Sequence, residues 1–140
     1  MSETTPGRIV ILDLGVASWT DKHLSDNIQP EHLRAPEVIL GAPWDPPVDI
    51  WSLGCLVMEF VKGHVAFLGA ASEGRKFAIP RLKVTNLADF VDGKEGPFQR
   101  PDDMTSEDAL RFVDFLRGAL QLDPDERKTA GELLQHEWLR

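Results

Sequence analysis

The chain has 140 residues, enough for one domain with a core of its own, and its 42% hydrophobic and 27% charged residues are ordinary for a soluble globular protein. The net charge of −8 argues against nucleic acid as a partner, because binding phosphates requires a basic surface. No stretch approaches the ~18 consecutive apolar residues of a membrane span, and the single cysteine, Cys55, predicts a buried thiol in a reducing, intracellular compartment.

The first predicted elements are a strand, a loop and a short helix. Residues 1–7 are polar and are predicted to be disordered. Residues 8–12 are β-branched and aliphatic, which predicts a strand that the following Asp-Leu-Gly ends. Residues 16–35 are mixed and polar and predict an ordered loop. Pro36 favours the start of a short helix, and Gly41 its end.

The segment from Val48 to Lys62 predicts the central helix of the fold. Its apolar side chains occur on all sides instead of forming one stripe, so the helix is expected in a core. Two prolines precede it and Gly63 follows it, as start and stop signals should.

The second half of the chain predicts further helices. Residues 64–104 are rich in glycine, proline and charge, and allow one short helix around residues 87–91. A capping-box pattern at 105–108 precedes apolar residues at helical spacing through Leu120. Thr129 and Glu132 predict the cap of a final helix, which carries Leu133, Leu134 and Trp138.

Four motifs, in the correct order, resemble the C-terminal lobe of eukaryotic-type Ser/Thr protein kinases. They are Ile-Leu-Asp-Leu-Gly at 11–15, Leu-Arg-Ala-Pro-Glu at 33–37, Val-Asp-Ile-Trp-Ser-Leu-Gly-Cys at 48–55 and Leu-Asp-Pro-Asp-Glu-Arg at 122–127. The resemblance covers nearly the whole chain and implies that residues 8–140 form a partial kinase domain, mainly α-helical, with a short strand and an activation segment before a helical bundle.

Shorter motifs are similar to the SR-protein kinase branch, particularly its fungal members. They are Ala-Ser-Trp at 17–19, Lys-His-Leu at 22–24, Asn-Ile-Gln at 27–29 and Ile-Pro-Arg-Leu-Lys at 79–83. The resemblance implies ATP-dependent phosphorylation of Ser or Thr in proteins, including Arg/Ser-rich substrates, with protein partners, no nucleic acid and no membrane.

The resemblance also implies roles for individual residues. Asp13 occupies the position of the carboxylate that binds Mg²⁺ on ATP, although an aspartate in a turn after a strand is the ordinary alternative. The loop that receives the substrate next to the phosphorylated residue corresponds to Ile28, Gln29, Pro30, Leu33 and Arg34. Kinases usually carry Ser or Thr where this chain has Pro30, which argues against ordinary catalysis.

Four further residues correspond to structural positions of the family. Glu37 and Arg127 match a buried ion pair, for which two solvated surface charges are the alternative. Asp49 matches a carboxylate that accepts backbone N–H bonds from the catalytic loop, while an acid favoured by the helix dipole would explain it equally. Trp51 belongs to the central-helix motif and is assigned a structural role.

Several parts of a kinase have no counterpart in the 140 residues. These are the Gly-rich loop, the strand lysine and the His-Arg-Asp loop with its downstream Asn, so no catalytic residue is identified and ATP and Mg²⁺ are not expected to bind this fragment alone. Residues 68–79 also replace a longer helical segment of the family. A truncated product, a degenerate paralogue or relic, a non-catalytic binding module and an incomplete gene model all remain open. Marginal stability is expected, with an open strand edge and a partly exposed central helix.

Overall fold

The computed structural model describes residues 10–63, 65, 86–93 and 99–140, and over these ranges the fold is helical. Its helices are α1 (Pro36–Ile39), α2 (Pro47–Lys62), α3 (Leu87–Val91), α4 (Ser106–Ala119) and α5 (Ala130–Leu134), with 3₁₀ turns at Leu14–Val16, Glu31–Leu33, Pro124–Glu126 and Glu137–Leu139. The prediction of a mainly α-helical chain is confirmed. The segments predicted at 1–7 and 68–79 lie outside the described residues.

Helix α2 begins and ends where its flanking residues dictate. Pro47 occupies the first turn, where a missing N–H costs no helical hydrogen bond. Gly63 ends the helix in the left-handed conformation at φ 71°, and its N–H donates to the carbonyl of Glu59 at 2.8 Å.

Helix α4 forms the second main element of the core. The Thr105 hydroxyl accepts the N–H of Asp108, and the Asp108 carboxylate accepts the N–H of Thr105, which completes the predicted capping box. The buried side of the helix carries seven residues, Ala109, Phe112, Val113, Phe115, Leu116, Gly118 and Ala119. Since Arg111, Asp114 and Arg117 are exposed, α4 is amphipathic, as its sequence period predicts.

Two apolar clusters fill the interior. The larger one joins α2, α3, α4 and α5 through Met58, Val91, Phe112, Leu116, Leu133 and their neighbours. The smaller one lies at the other end of α2 and consists of Ala35, Val48, Trp51 and Cys55. Half-buried Ile28, Leu33, Val38 and Trp44 pack against this smaller cluster, so it supports the loop that precedes α1.

The final predicted helix is shorter than expected. Helix α5 ends at Leu134, which is 69% exposed, and Trp138 lies in the following 3₁₀ turn. The Trp138 ring still reaches the core, with its centroid 4.7 Å from that of Phe112 and 5.0 Å from that of Phe115. Trp138 therefore packs in the core, but the prediction that the final helix continues to residue 138 was wrong.

The strand predicted at residues 8–12 is wrong for the residues that the structure describes. Residues 10–12 belong to no strand, and their side chains Val10, Ile11 and Leu12 are 62%, 84% and 78% exposed. A strand exists only when its backbone pairs with a neighbour, and no neighbouring strand is present among the described residues.

Helix α2 is covered on one side only. Its buried residues are Val48, Trp51, Gly54, Cys55 and Met58, all facing the two clusters. On the other side Leu53 is 40% and Phe60 75% exposed. The helix therefore lies in the core, as expected, and the expectation that it is partly exposed is confirmed.

The close approach of α2 to α4 predicts that Gly54→Ala destabilises the fold. A Cβ at residue 54 would lie 2.9 Å from Cβ of Ala119 and 2.9 Å from Cδ2 of Leu120, too close for ordinary contact. We expect a loss of about 1–3 kcal/mol in the free energy of unfolding, measured by urea denaturation, because the helices must separate.

Gly131→Ala in α5 is the matched control. Its Cβ would meet no atom closer than 3.9 Å, so the helix-favouring alanine should be neutral or slightly stabilising. Equal losses from the two substitutions would contradict the packing argument.

Candidate functional site

The site is built around a buried ion pair between α1 and the segment before α5. Arg127 donates from Nη1 to Oε1 of Glu37 at 2.6 Å and from Nη2 to Oε2 at 2.7 Å. The Arg127 side chain is 0% and the Glu37 side chain 6% exposed. The two parallel hydrogen bonds have the bidentate geometry that makes arginine–carboxylate pairs strong and directional.

Arg127 also binds backbone from two other segments. It donates to the carbonyls of Pro47 at 3.1 Å, Gln121 at 2.7 Å and Leu122 at 3.4 Å, and its guanidinium carbon lies 5.2 Å from the centre of the Trp51 ring. A buried guanidinium requires this full set of partners, because a buried donor without an acceptor loses its bonds to water and gains none in return.

The ion pair sets the titration of its carboxylate. Burial by itself raises the pKa of Glu37, but the hydrogen bonds and positive charge of Arg127 outweigh it, and the pKa is held below the ordinary value of 4.5. Glu37 is therefore ionised throughout the neutral range. In the smaller cluster beside the ion pair, burial raises the pKa of the Cys55 thiol to about 12, which makes that thiol unreactive.

The loop at residues 28–35 is held by hydrogen bonds from the Arg34 side chain to backbone carbonyls of the loop. The guanidinium donates to the carbonyl of Ile28 at 3.0 Å and to that of Gln29 at 2.9 Å. Gln29 has φ 66°, in the left-handed region that a non-glycine residue occupies only with support. Arg34 supplies part of that support by holding the Gln29 carbonyl in place.

The Gln29 side chain ties the same loop to α2. Its Nε2 donates to the carbonyl of Val48 and to Oγ of Ser52, both at 2.7 Å, and its Oε1 accepts the N–H of Ala35 at 2.9 Å. Ser52 donates onward to the carbonyl of Leu33 at 2.9 Å. Every polar group of the amide is used, which fixes the loop in one conformation on the first turns of the helix.

The structure divides the predicted substrate-binding residues into two kinds. Ile28, Gln29, Leu33 and Arg34 are half-buried and hold the loop, while Pro30 is exposed. The carbonyl of Pro30 accepts the N–H of Leu33 at 2.9 Å and so starts the short turn at residues 31–33. A partner approaching this loop from solvent would therefore meet Pro30 and the exposed side chain of Glu31.

Asp13 lies apart from this network, in an exposed turn. It has φ 60°, and its Oδ1 accepts the N–H of Gly15 at 3.4 Å. The carboxylate is a hard oxygen donor of the kind Mg²⁺ prefers. The described residues contain no group of three or more His, Cys, Asp or Glu that could hold a metal ion, so Asp13 provides one ligand and not a complete site.

Asp49 and Trp51 occupy different environments on α2. Asp49 is exposed in the first turn, where a carboxylate is favoured by the helix dipole. Its predicted bonds to a catalytic loop stay a prediction. Trp51 is buried beneath the Arg127 guanidinium and within the smaller apolar cluster.

Sequence reasoning passed over Ser52 and the contact between His23 and Trp44. A serine inside an apolar helix is a detectable signal, because a half-buried hydroxyl needs a partner. The rings of His23 and Trp44 are stacked, with centroids 3.8 Å apart and planes 8° apart. No sequence pattern links these two residues, which the fold brings together across the loop.

Comparison with known proteins adds independent findings. A family model described as "Protein kinase domain" matches residues 1–139. Serine/threonine-protein kinase SKY1 of Saccharomyces cerevisiae is 32% identical over 165 residues, covering 95% of this chain and 22% of that protein. Serine/threonine-protein kinase SRPK of Physarum polycephalum is 30% identical, covering 94% of this chain and 38% of that protein. SRSF protein kinase 3 of Mus musculus is 31% identical, covering 94% of this chain and 29% of that protein.

The chain spans between about a fifth and two-fifths of the length of these curated relatives. The alignment of 165 residues with SKY1 is longer than the chain of 140, so that relative carries residues without a counterpart here. Among the described residues, no helix is long and apolar enough to cross a membrane.

The buried ion pair predicts a large cost for Glu37→Gln. The substitution leaves Arg127 buried without its counter-charge, so we expect the free energy of unfolding to fall by ~3–5 kcal/mol in urea denaturation. The control is Glu107→Gln, which removes an exposed ion pair with Arg111 and should cost less than about 1 kcal/mol. Equal losses from the two variants would contradict the role of the buried pair.

The same pair predicts the direction of a pH dependence. Because the folded pKa of Glu37 is lowered, its stabilisation is present above pH 4.5 and is lost as the pH falls through the folded value. Glu37→Gln lacks this contribution at every pH. The stabilities of the original chain and the variant should therefore converge on acidification, and a constant difference down to pH 2 would oppose this assignment.

Proposed function

The chain belongs to the protein kinase family, and we propose that residues 8–140 supply the substrate-facing part of a C-terminal lobe for ATP-dependent phosphoryl transfer to Ser or Thr in proteins. The observation that carries the proposal is the fastening of the loop at 28–35, by Gln29 and Arg34, next to the buried Glu37–Arg127 pair. A kinase contributes mainly by positioning its substrates and stabilising charge, because phosphoryl transfer requires little covalent chemistry from the protein.

The loop presents Pro30 and Glu31 to an incoming peptide. The Gln29 amide and the Arg34 guanidinium form their hydrogen bonds within the protein. These side chains therefore hold the loop in place, and its exposed face is left to contact the peptide. The acidic balance of the chain, with a net charge of −8, supports a basic protein substrate such as an Arg/Ser-rich segment. An intracellular location goes with this proposal.

Asp13 would hold Mg²⁺ together with oxygen ligands outside the described residues. The metal, when bound, neutralises the charge of the ATP phosphates. What this chain contributes is one exposed carboxylate, whose Oδ1 accepts the N–H of Gly15 at 3.4 Å. Glu37, Arg127, Asp49 and Trp51 keep structural roles in the proposal.

The 140 residues by themselves are proposed to be inactive. They contain no Gly-rich loop, no strand lysine and no His-Arg-Asp sequence, so general base and phosphate clamp would have to come from other residues of a longer protein. We expect no stabilisation of this chain by Mg-ATP in a thermal-shift measurement, since few nucleotide contacts are available.

A non-catalytic binding module is the second candidate, and Pro30 favours it. Proline has no side-chain hydroxyl to help orient a catalytic aspartate, whereas the loop around it is held by Gln29 and leaves Pro30 exposed. The two candidates differ in phosphoryl transfer and agree in protein binding.

Phosphoryl transfer by the complete gene product decides between the candidates. With radiolabelled ATP and an Arg/Ser-rich peptide, the catalytic proposal expects label on serine, and Asp13→Asn should lower kcat/KM by about two orders of magnitude or more because a metal ligand is lost. Asp103→Asn, an exposed acid in another part of the fold, is the matched control and should leave the rate unchanged.

If the complete gene product binds the peptide but transfers phosphate to it only at the background rate, the catalytic proposal is wrong and the binding module is favoured. Saturable, metal-dependent stabilisation of the 140-residue chain by ATP would overturn the statement that it is inactive alone.

A further inference from the structure

A cleft between the end of α3 and the start of α4 has no role in the function proposed above. Its volume is about 530 Å³, and it is lined by Asp92, Gly93, residues 99–102, Met104 and Ser106. We call it the Ser106 cleft. Arg100 is the one Lys or Arg among the described residues that line it, so its guanidinium is the positive charge that faces this space.

Arg100 joins the two sides of the Ser106 cleft. Its Nη1 donates to Oγ of Ser106 at 2.5 Å and lies 3.3 Å from Oδ1 of Asp92. The Arg100 and Asp92 side chains are 33% and 45% exposed, so water screens their ion pair and it contributes little to stability. The guanidinium therefore lies between a serine hydroxyl and a weakly bound carboxylate.

The Ser106 hydroxyl can be modified without loss of a bond that the fold uses. Ser106 is exposed, and among the described residues its Oγ accepts one hydrogen bond and donates none. The neighbouring Thr105 hydroxyl, by contrast, donates to Asp108 within the capping box. A phosphate ester at Ser106 removes an unused proton and adds oxygens that Arg100 can bond.

The sequence around Ser106 is acidic. Asp102 and Asp103 precede it, and Glu107 and Asp108 follow it. Kinases select the residues beside the phosphorylated hydroxyl by charge complementarity, so this segment fits a kinase with a basic substrate site. The N–H groups of the first turn of α4 have no partners within the helix, so this turn opens at low cost to enter such a site.

We propose that Ser106 is phosphorylated by a protein kinase that prefers acidic sequences, and that the phosphate binds Arg100 in place of Asp92. Oγ of Ser106 bonds to the γ-phosphorus of ATP while the bond from this phosphorus to the β–γ bridging oxygen breaks. ADP leaves, and the hydroxyl proton passes to the base of the modifying kinase. That kinase is another protein, so the inference is independent of any phosphoryl transfer by this chain.

The phosphate competes well for Arg100 because of its charge. It carries about two negative charges and three acceptor oxygens, whereas a carboxylate carries one charge. Asp92 keeps a cationic neighbour after the exchange. Burial lowers the pKa of Lys62, and the negative charge of Asp92 partly offsets this effect. The exchange therefore separates Asp92, at the end of α3, from Arg100 without isolating a charge.

Treatment of the 140-residue chain with ATP and casein kinase I or casein kinase II, two acid-directed kinases, tests the site. We expect phosphate on Ser106, located by fragment mass spectrometry, and Ser106→Ala should lose it. Phosphate only at other hydroxyls, or none with either kinase, would overturn the proposal. If the isolated chain gives no folded amide spectrum, the complete gene product replaces it in this experiment and the next.

Phosphorus nuclear magnetic resonance of the phosphorylated chain tests the contact with Arg100. The phosphate should titrate at least about half a pH unit lower in the original chain than in Arg100→Gln, because the guanidinium favours the dianion. Arg117→Gln removes an equal charge from an exposed residue of α4 and should leave the titration unchanged. Equal midpoints in the original chain and Arg100→Gln, or equal shifts in both variants, would contradict the exchange of partners.

Discussion

The ion pair between Glu37 and Arg127 is the constraint on which the described fold depends. Two charges that are 90 residues apart in sequence lie in the interior with side-chain exposures of 6% and 0%. Their mutual attraction compensates the loss of hydration only because the geometry is bidentate and because three carbonyls accept the remaining donors. Any movement of α1 away from the Arg127 segment would leave a buried charge without its counter-charge, so the two segments are held in one arrangement.

The first turns of α2 connect this ion pair to the loop at 28–35. Arg127 donates to the carbonyl of Pro47, and Gln29 donates to the carbonyl of Val48 one residue later. Trp51 lies under the guanidinium, and Ser52 receives the Gln29 amide. One end of a single helix therefore carries both networks. A loop with a left-handed Gln29 would be costly alone, and its conformation is maintained by bonds to a helix that the ion pair also fixes.

The rest of the molecule shows less constraint. Helix α2 leaves Leu53 and Phe60 exposed, and five aliphatic residues between Val10 and Val16 are more than 60% exposed. Exposed apolar surface of this kind lowers solubility and favours association. The chain covers only part of the length of its curated relatives, whose additional residues are the natural candidates to cover comparable surfaces in those proteins.

The sequence by itself determined the local elements and the family. Capping boxes, prolines at helix starts and glycines at helix ends are local signals, so α1 to α4 were predictable, with boundaries close to those observed. Four ordered motifs were sufficient to identify a kinase, and they also marked Glu37 and Arg127 as partners. The strand predicted at residues 8–12 was wrong for the described residues 10–12, because a strand needs a neighbour as well as β-branched residues. The end of α5 at Leu134 was missed because Trp138 reaches the core equally well from a 3₁₀ turn.

Only the tertiary structure decided how the site residues are used. Gln29 and Arg34 belong to the loop that is predicted to receive a substrate, and their side chains bond inward to carbonyls and to Ser52, since half-buried polar groups must be satisfied within the protein. Their contact with a substrate stays a prediction. The stacking of His23 on Trp44 joins a residue before α1 to a residue after it, which no periodicity encodes. The sequence therefore determined which chemistry the chain inherits, through residue types at fixed spacing. The structure decided which of those residues support the fold and which remain available to a partner, because burial and bonding are properties of the assembled chain.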